Sequence, residues 1–159
     1  MSDFSHLNKE SKAIMVDIGE KIPTRRSATA RSVIVLPQEV IDAFTDGDIL
    51  TKKGSVVGTA ILAGIMAAKK TSDLIPLCHT LALEDCQINI SFNTENELNI
   101  ECTASTTAKT GVEMEALIGA TIAALTVYDM CKALSHDIVI KETKLIRKSG
   151  GKKDFHIIE

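Results

Sequence analysis

The sequence predicts an α+β domain in which one antiparallel sheet carries two helices on a single face. Three features carry that expectation. Alternating, β-branched segments lie near both ends of the chain, a hairpin lies between them, and two long Ala- and Gly-rich runs of helical length separate the strands.

The elements follow in order. RSATARSVIVL (residues 26–36) alternates and then turns apolar and β-branched, as a strand does. Pro37 opens a short helix over PQEVIDAFTDG, ending near Gly47. SVVGTAILAGIMAAKK (55–70) has the length and composition of a helix with Ser55 as N-cap, and its Gly and Ala let a neighbouring backbone approach closely. LALEDCQINISFN (81–93) reads as a strand, TENE (94–97) as a turn and LNIECTAST (98–106) as the returning strand. GVEMEALIGATIAALTVYDMCKALSH (111–136) is the longest helix, and DIVIKETKLIRK (137–148) a last strand. With the short helix set aside the order is βαββαβ, the ferredoxin-like arrangement.

The 159 residues fit one domain over residues 15–159, preceded by a polar, loose segment over residues 1–14. Apolar residues at 45% and charged residues at 25% give a globular balance. Aromatics make up only 3%, without Trp, which argues against a sheet on which bases stack. The net charge of −3 argues against general nucleic-acid binding. Charge interrupts every long apolar run before the ~18 residues of a membrane span, and MSDFSHLNKESK has no signal-peptide core. The expected compartment is the cytoplasm, with no membrane partner. Cys78, Cys86, Cys102 and Cys131 match no zinc spacing and no tight disulfide framework, so they read as reduced thiols and no metal site is expected.

Apolar side chains appear all round the helix between Val112 and Leu134, as in a helix buried on more than one side. A small sheet covers one side only, so a second subunit is expected against the rest. Glu115, Thr126, Asp129 and Lys132 fall on one arc of roughly 120°. Asp129 and Lys132, three apart, can form a structural ion pair, or a proton-transferring or anion-clamping pair in a partly dry pocket. Glu115 stands about 21 Å from Asp129 along an unbroken helix. The two therefore serve the ends of a large ligand or the sites of different subunits.

Basic clusters occur at Arg25-Arg26, at Lys52-Lys53-Gly54 and in RKSGGKK (147–153). Singly, such clusters are solvated charge. In the last, Ser149-Gly150-Gly151 can turn amides toward an anion beside Lys148 and Lys152, although the spacing is not that of a Walker loop. Together they suit a ligand with several phosphates. In LIPLCHTL (74–81), Cys78 and His79 admit metal binding, nucleophilic attack or ligand contact. On an extended segment they point in opposite directions, which leaves Cys78 a small buried residue and His79 either a structural histidine, the commoner case for a lone His, or one facing a pocket.

The stretches MVDIGEKIPTRR, KKGSVVGTAILAGIMAAKKTSDLIPLCHTL, KTGVEMEAL, LTVYDMCKAL and KSGGK run from Met15 to Lys152, and together they resemble the molybdenum cofactor biosynthesis protein C family, the cyclic pyranopterin monophosphate synthases. The resemblance implies a phosphorus–oxygen lyase that converts (8S)-3',8-cyclo-7,8-dihydroguanosine 5'-triphosphate to cyclic pyranopterin monophosphate with release of pyrophosphate. It also implies a ferredoxin-like fold and a homohexamer, a trimer of dimers, with sites between subunits. By matching motif, Asp129, Lys53 and Lys132 resemble the catalytic residues. Leu77, Cys78, His79, Met114 and Glu115 resemble substrate-binding residues, and Arg26, Lys69, Glu113 and Lys148 match further pocket positions. Lys and Asp suit the repeated proton transfers, while Lys53 and Lys148 suit the triphosphate and departing pyrophosphate. On this reading His79 contacts the nucleotide and Cys78 shapes its segment. No cofactor is required, and Mg²⁺ could accompany the triphosphate.

Three positions depart from the family pattern: Thr80 in place of Pro after LCH, Ser55 in place of Asp after KG, and KDF after KSGGK in place of a Ser-Gly continuation. None removes a proposed catalytic residue. The competing readings are a non-catalytic, oligomeric nucleotide sensor, which would release its nucleotide unchanged, and a purely structural oligomer, which would bind no anion saturably.

Overall fold

The computed structural model describes residues 12–158. In chain order the elements are β1 (Thr24–Val35), α1 (Gln38–Ile41), β2 (Leu50–Thr51), β3 (Gly54–Ser55), α2 (Val56–Ala68), α3 (Thr71–Leu74), β4 (Asp85–Phe92), β5 (Leu98–Ala108), α4 (Glu113–Cys131), β6 (Val139–Ser149) and β7 (Phe155–His156). The main sheet runs β4-β5-β1-β6-β7 with every pairing antiparallel. The four long strands and α2 and α4 follow the expected βαββαβ order, and the fold is α+β, ferredoxin-like.

Alternation sets the faces. Ala28, Ala30 and Ile34 of β1 and Ile100, Cys102 and Ala104 of β5 are fully buried on the helix-facing side. Small residues there oppose Ala116 and Ala120, so α4 sits close to the strands at its N-terminal half. Larger groups, among them Ile34, Leu98, Ile100 and Val127, fill the other half. Each such aliphatic side chain contributes about 1.5–3 kcal/mol on burial. Two register shifts in the β1–β6 ladder leave Lys148 opposite Ala28, on the helix-facing side. A single shift would reverse the alternation, but the second restores it, so Lys148 lies on the same face as Ile140, toward the start of α4.

α2 packs along α4, which accounts for part of the apolar surface that the sequence assigned to a second subunit. The contact depends on glycine: a Cβ on Gly64 would lie 2.7 Å from the Gly119 carbonyl oxygen. Backbone cannot yield as a side-chain tip can. Gly64→Ala should cost about 1–3 kcal/mol, read as a lower urea midpoint at unchanged slope. By length and apolar composition α4 could span a membrane, but its Ala and Gly face is packed in this core.

Several boundaries differ from expectation. The short helix stops at Ile41, where Ala43 N–H and Phe44 N–H turn to the carbonyls three residues back, Val40 and Ile41, and Pro37 precedes its first residue as N-cap. Residues 81–84 are irregular before β4, although Leu81 and Leu83 still pack on the core. α4 ends at Cys131, where a tight turn from Leu134 N–H to the Cys131 carbonyl closes it. Ser55 caps α2 as expected, its hydroxyl accepting from Gly58 N–H at 2.7 Å. Residues 1–11 of the expected loose segment lie outside the described residues.

Candidate functional site

The candidate residues gather at the two ends of α4. At its C-terminal end, Lys132 Nζ donates to Asp129 Oδ1 at 2.7 Å, with both side chains about half exposed at 51% and 56%. The pair is therefore open to solvent in the single chain, so one chain alone does not form the partly dry pocket of the second sequence reading. The hydrogen bond from Lys132 holds the Asp129 carboxyl below its usual range, and the positive field of Lys53 adds to the effect. The same bond raises Lys132. Lys52 and Lys53 sit at the tip of the β2–β3 hairpin, where the Thr51 hydroxyl donates to the Gly54 carbonyl at 3.0 Å and accepts from Lys53 N–H at 3.1 Å. Lys52, Lys53, Asp129 and Lys132 line one cavity of about 500 Å³.

At the N-terminal end of α4 two adjoining cavities share Thr110, Gly111 and Glu113. The larger, about 430 Å³, is ringed by Lys21, Arg26, Lys109, Lys148, Lys152 and Lys153, with Glu113 as its carboxylate. Lys148 donates to Glu113 Oε1 at 2.9 Å. Gly150, at φ +83, lets the 149–153 loop lie directly against the Arg25 carbonyl, where any side chain would collide. Asp154 accepts from Gly150 N–H at 3.2 Å and closes this loop, which is how KDF follows KSGGK here.

The smaller cavity, about 160 Å³, is lined by Leu77, Cys78, His79, Met114 and Glu115 among others. Cys78 and His79 both face it, contrary to the opposed directions expected on an extended segment. The backbone from Leu77 to Leu83 is irregular, so strand alternation does not apply. His79 Nε2 donates to the Val16 carbonyl at 2.7 Å, which fixes the ring. Thr80, the departure beside it, donates to the Ser72 hydroxyl at 3.2 Å. Burial, and then the negative field of Glu115, push the Cys78 thiol up, the opposite of what activates a cysteine nucleophile.

Glu115 is 4% exposed. Burial, and beside it Glu113, raise its carboxyl above the ordinary 4.5. The fold thus favours the neutral acid, so this group's contribution to stability is full below about pH 4.5 and is lost as pH rises through the raised value. Glu115→Gln should therefore have a higher urea midpoint than the wild type near about pH 7 and match it near about pH 4.

The two clusters are far apart within one chain. Glu113 and Asp129 are separated by about 24 Å of helix, from 1.5 Å per residue. Lys69, exposed just past the end of α2, lines none of these cavities. Sequence reasoning missed Lys21 and Lys109. Lys109 stands just before Thr110-Gly111, in a Lys-x-Gly setting akin to Lys52-Lys53-Gly54, and that was the available signal; its Nζ donates to the Gly19 carbonyl at 2.6 Å. Among the described residues no group of three or more His, Cys, Asp or Glu is placed to hold a metal ion.

The model of the MoaC family matches residues 15–151. The chain is 51% identical over 154 residues to the cyclic pyranopterin monophosphate synthase of Staphylococcus carnosus, covering 96% of this chain and 94% of that protein. It is 50% identical over 155 residues to the molybdenum cofactor biosynthesis bifunctional protein of Synechocystis sp., covering 95% of this chain and 45% of that one. With molybdenum cofactor biosynthesis protein 1 of Dictyostelium discoideum it shares 49% over 168 residues, 95% of this chain and 27% of that one. The chain thus spans less than half of these two longer relatives and nearly all of the first.

Proposed function

Because the chain belongs to the MoaC family, we propose that it is a cyclic pyranopterin monophosphate synthase, converting (8S)-3',8-cyclo-7,8-dihydroguanosine 5'-triphosphate to cyclic pyranopterin monophosphate with release of pyrophosphate. The observation that carries the reading is the 430 Å³ cavity ringed by six cationic groups beside the apolar Leu77–Cys78–His79 wall. That pairing suits a polyphosphate joined to a heterocycle better than a polymer backbone.

Arg26, Lys148 and the neighbouring lysines bind phosphate oxygens, Arg26 as a planar fork and the lysines as point charges. The Glu113–Lys148 pair opens to admit them, since Glu113 occupies the position of an anion. His79, Leu77, Met114 and Glu115 hold the ring system, and Cys78 shapes the wall as a thiol. Lys53, Asp129 and Lys132 move the protons: the ionised Asp129 keeps Lys132 charged, and Lys53 stands across the same cavity. Lys69 joins a site only if another copy brings it there. Mg²⁺ would enter with the triphosphate, on the phosphate oxygens.

The finer reading is a homohexamer, a trimer of dimers, in which one copy's Lys53–Asp129–Lys132 end meets another's basic cavity. Two observations support assembly: the 24 Å between clusters, and the exposed apolar Leu62, Met66 and Leu125 on the paired helices. We place the reaction in the cytoplasm, in keeping with four free thiols.

The test is turnover. Purified protein is mixed with the cyclised dihydro-GTP, and pyrophosphate and pterin are followed. Product formation by the wild type supports the reading. Binding of intact nucleotide without product would overturn it in favour of the sensor.

A further inference from the structure

The hairpin that carries Lys53 is fastened at its base by one carboxylate. Asp48 Oδ1 accepts from Ile49 N–H at 2.7 Å and from Val57 N–H at 2.9 Å, while Oδ2 accepts from the Ser55 hydroxyl. The Ser55 oxygen in turn accepts from Gly58 N–H, and Val56 N–H donates to the Ile49 carbonyl at 3.0 Å. Ile49 and Val56, 5% and 0% exposed, root this base in the core. Two ladder pairs, Leu50 with Ser55 and Thr51 with Gly54, then run to the exposed tip bearing Lys52 and Lys53. The eight residues 48–55 are thus closed into a loop where they meet α2, and Asp48 lies at the positive end of that helix.

We infer that Asp48 and Ser55 form a clasp that positions Lys53 against the Asp129–Lys132 pair. They are positioning residues: neither lines the cavity that Lys53 shares with that pair. Burial opposes ionisation of Asp48, but hydrogen bonds from Ser55, Val57, Ile49 and Val56 outweigh it and hold the carboxyl below its usual range. The clasp requires one carboxylate and one hydroxyl. Two carboxylates would repel, whereas exchanging the two groups preserves the bond, since Asp and Ser are both good N-caps. The consequence for turnover rests on the synthase reading; the clasp itself does not.

Four proteins test it: wild type, Ser55→Ala, Ser55→Asp, and Asp48→Ser with Ser55→Asp. A misplaced catalytic group costs up to about 100-fold. Ser55→Ala should lower kcat about tenfold and Ser55→Asp more, with KM within about twofold, and the exchanged double variant should recover most of kcat. In parallel, the labelling rate of Lys53 by an amine-reactive reagent, normalised to Lys70, should change in Ser55→Asp and return in the double variant. Wild-type kcat and Lys53 labelling in Ser55→Asp, or a double variant no better than that single, would overturn the clasp. Labelling that follows the clasp while no protein, wild type included, turns over would uphold the clasp and sink the synthase reading.

Discussion

Lys53→Ala and Lys132→Ala are each expected to lower kcat by about 10²–10⁴-fold, the range for loss of a positioned acid or base. Three groups share one cavity there, and their charges are mutually arranged. Lys132 keeps Asp129 ionised and Asp129 keeps Lys132 protonated, so removing Lys132 loses a donor and also releases Asp129 toward its ordinary range. Lys53 lines the same cavity from the β2–β3 hairpin. Asp129, Lys132 and Lys53 are all exposed, so neither substitution opens a void or strands a buried charge. Thermal midpoint and sedimentation should therefore match the wild type. The measurement is pyrophosphate release under saturating substrate, alongside calorimetry of each variant. Near-wild-type turnover in both variants would remove these lysines from the chemistry. A large fall in thermal midpoint would instead make the Asp129–Lys132 pair structural.

How far the sequence carried the site depends on how local each signal was. Ser55 was legible as a cap because N-cap chemistry involves only its own next three residues. The hairpin around residues 94–97 was legible for the same reason, with Asn93 Oδ1 accepting from Glu95 N–H and Glu97 N–H. The βαββαβ order followed from strand alternation, turn residues and the length and composition of the two Ala- and Gly-rich runs. The opposed faces assigned to Cys78 and His79 did not hold, because periodicity applies only within a regular element and residues 77–83 form none. For the Asp129–Lys132 pair the sequence left a structural ion pair and a partly dry pocket open, because spacing on a helix fixes the contact but not what covers it. Lys21 and Lys109 could not be placed without tertiary structure. They reach the basic cavity because β1, β5 and β6 bring residues more than 80 positions apart to one end of the sheet. Lys148 shares the inward face of Ile140, because the two one-residue shifts in the β1–β6 register cancel in parity, but its meeting with Glu113 on α4 is a tertiary contact.

Mixing two inactive variants is expected to restore activity if the site is built from two copies. One variant carries Lys53→Ala and disables the end with Asp129; the other carries Arg26→Ala with Lys148→Ala and disables the basic cavity. Each homo-oligomer lacks one half of every site. In a randomly mixed assembly, a site formed by two different copies draws both intact halves in about one case in four, so about a quarter of wild-type turnover should return. The geometry dictates the sign of this result. Within one chain Glu113 and Asp129 stay about 24 Å apart along an unbroken helix, so no rotation of side chains brings the two halves to one ligand. If instead each chain worked alone, every site in the mixture would keep one dead half and mixing would restore nothing. The proteins are combined, dissociated in mild denaturant and reassembled, because stable oligomers exchange slowly. Wild type taken through the same cycle fixes the recoverable maximum. Recovery that grows with exchange time, and is absent when the variants are mixed without dissociation, would show that the halves meet across an interface. No recovery from an assembly that demonstrably contains both variants would place the whole site within one chain, and would then require α4 or its flanking loops to rearrange on binding.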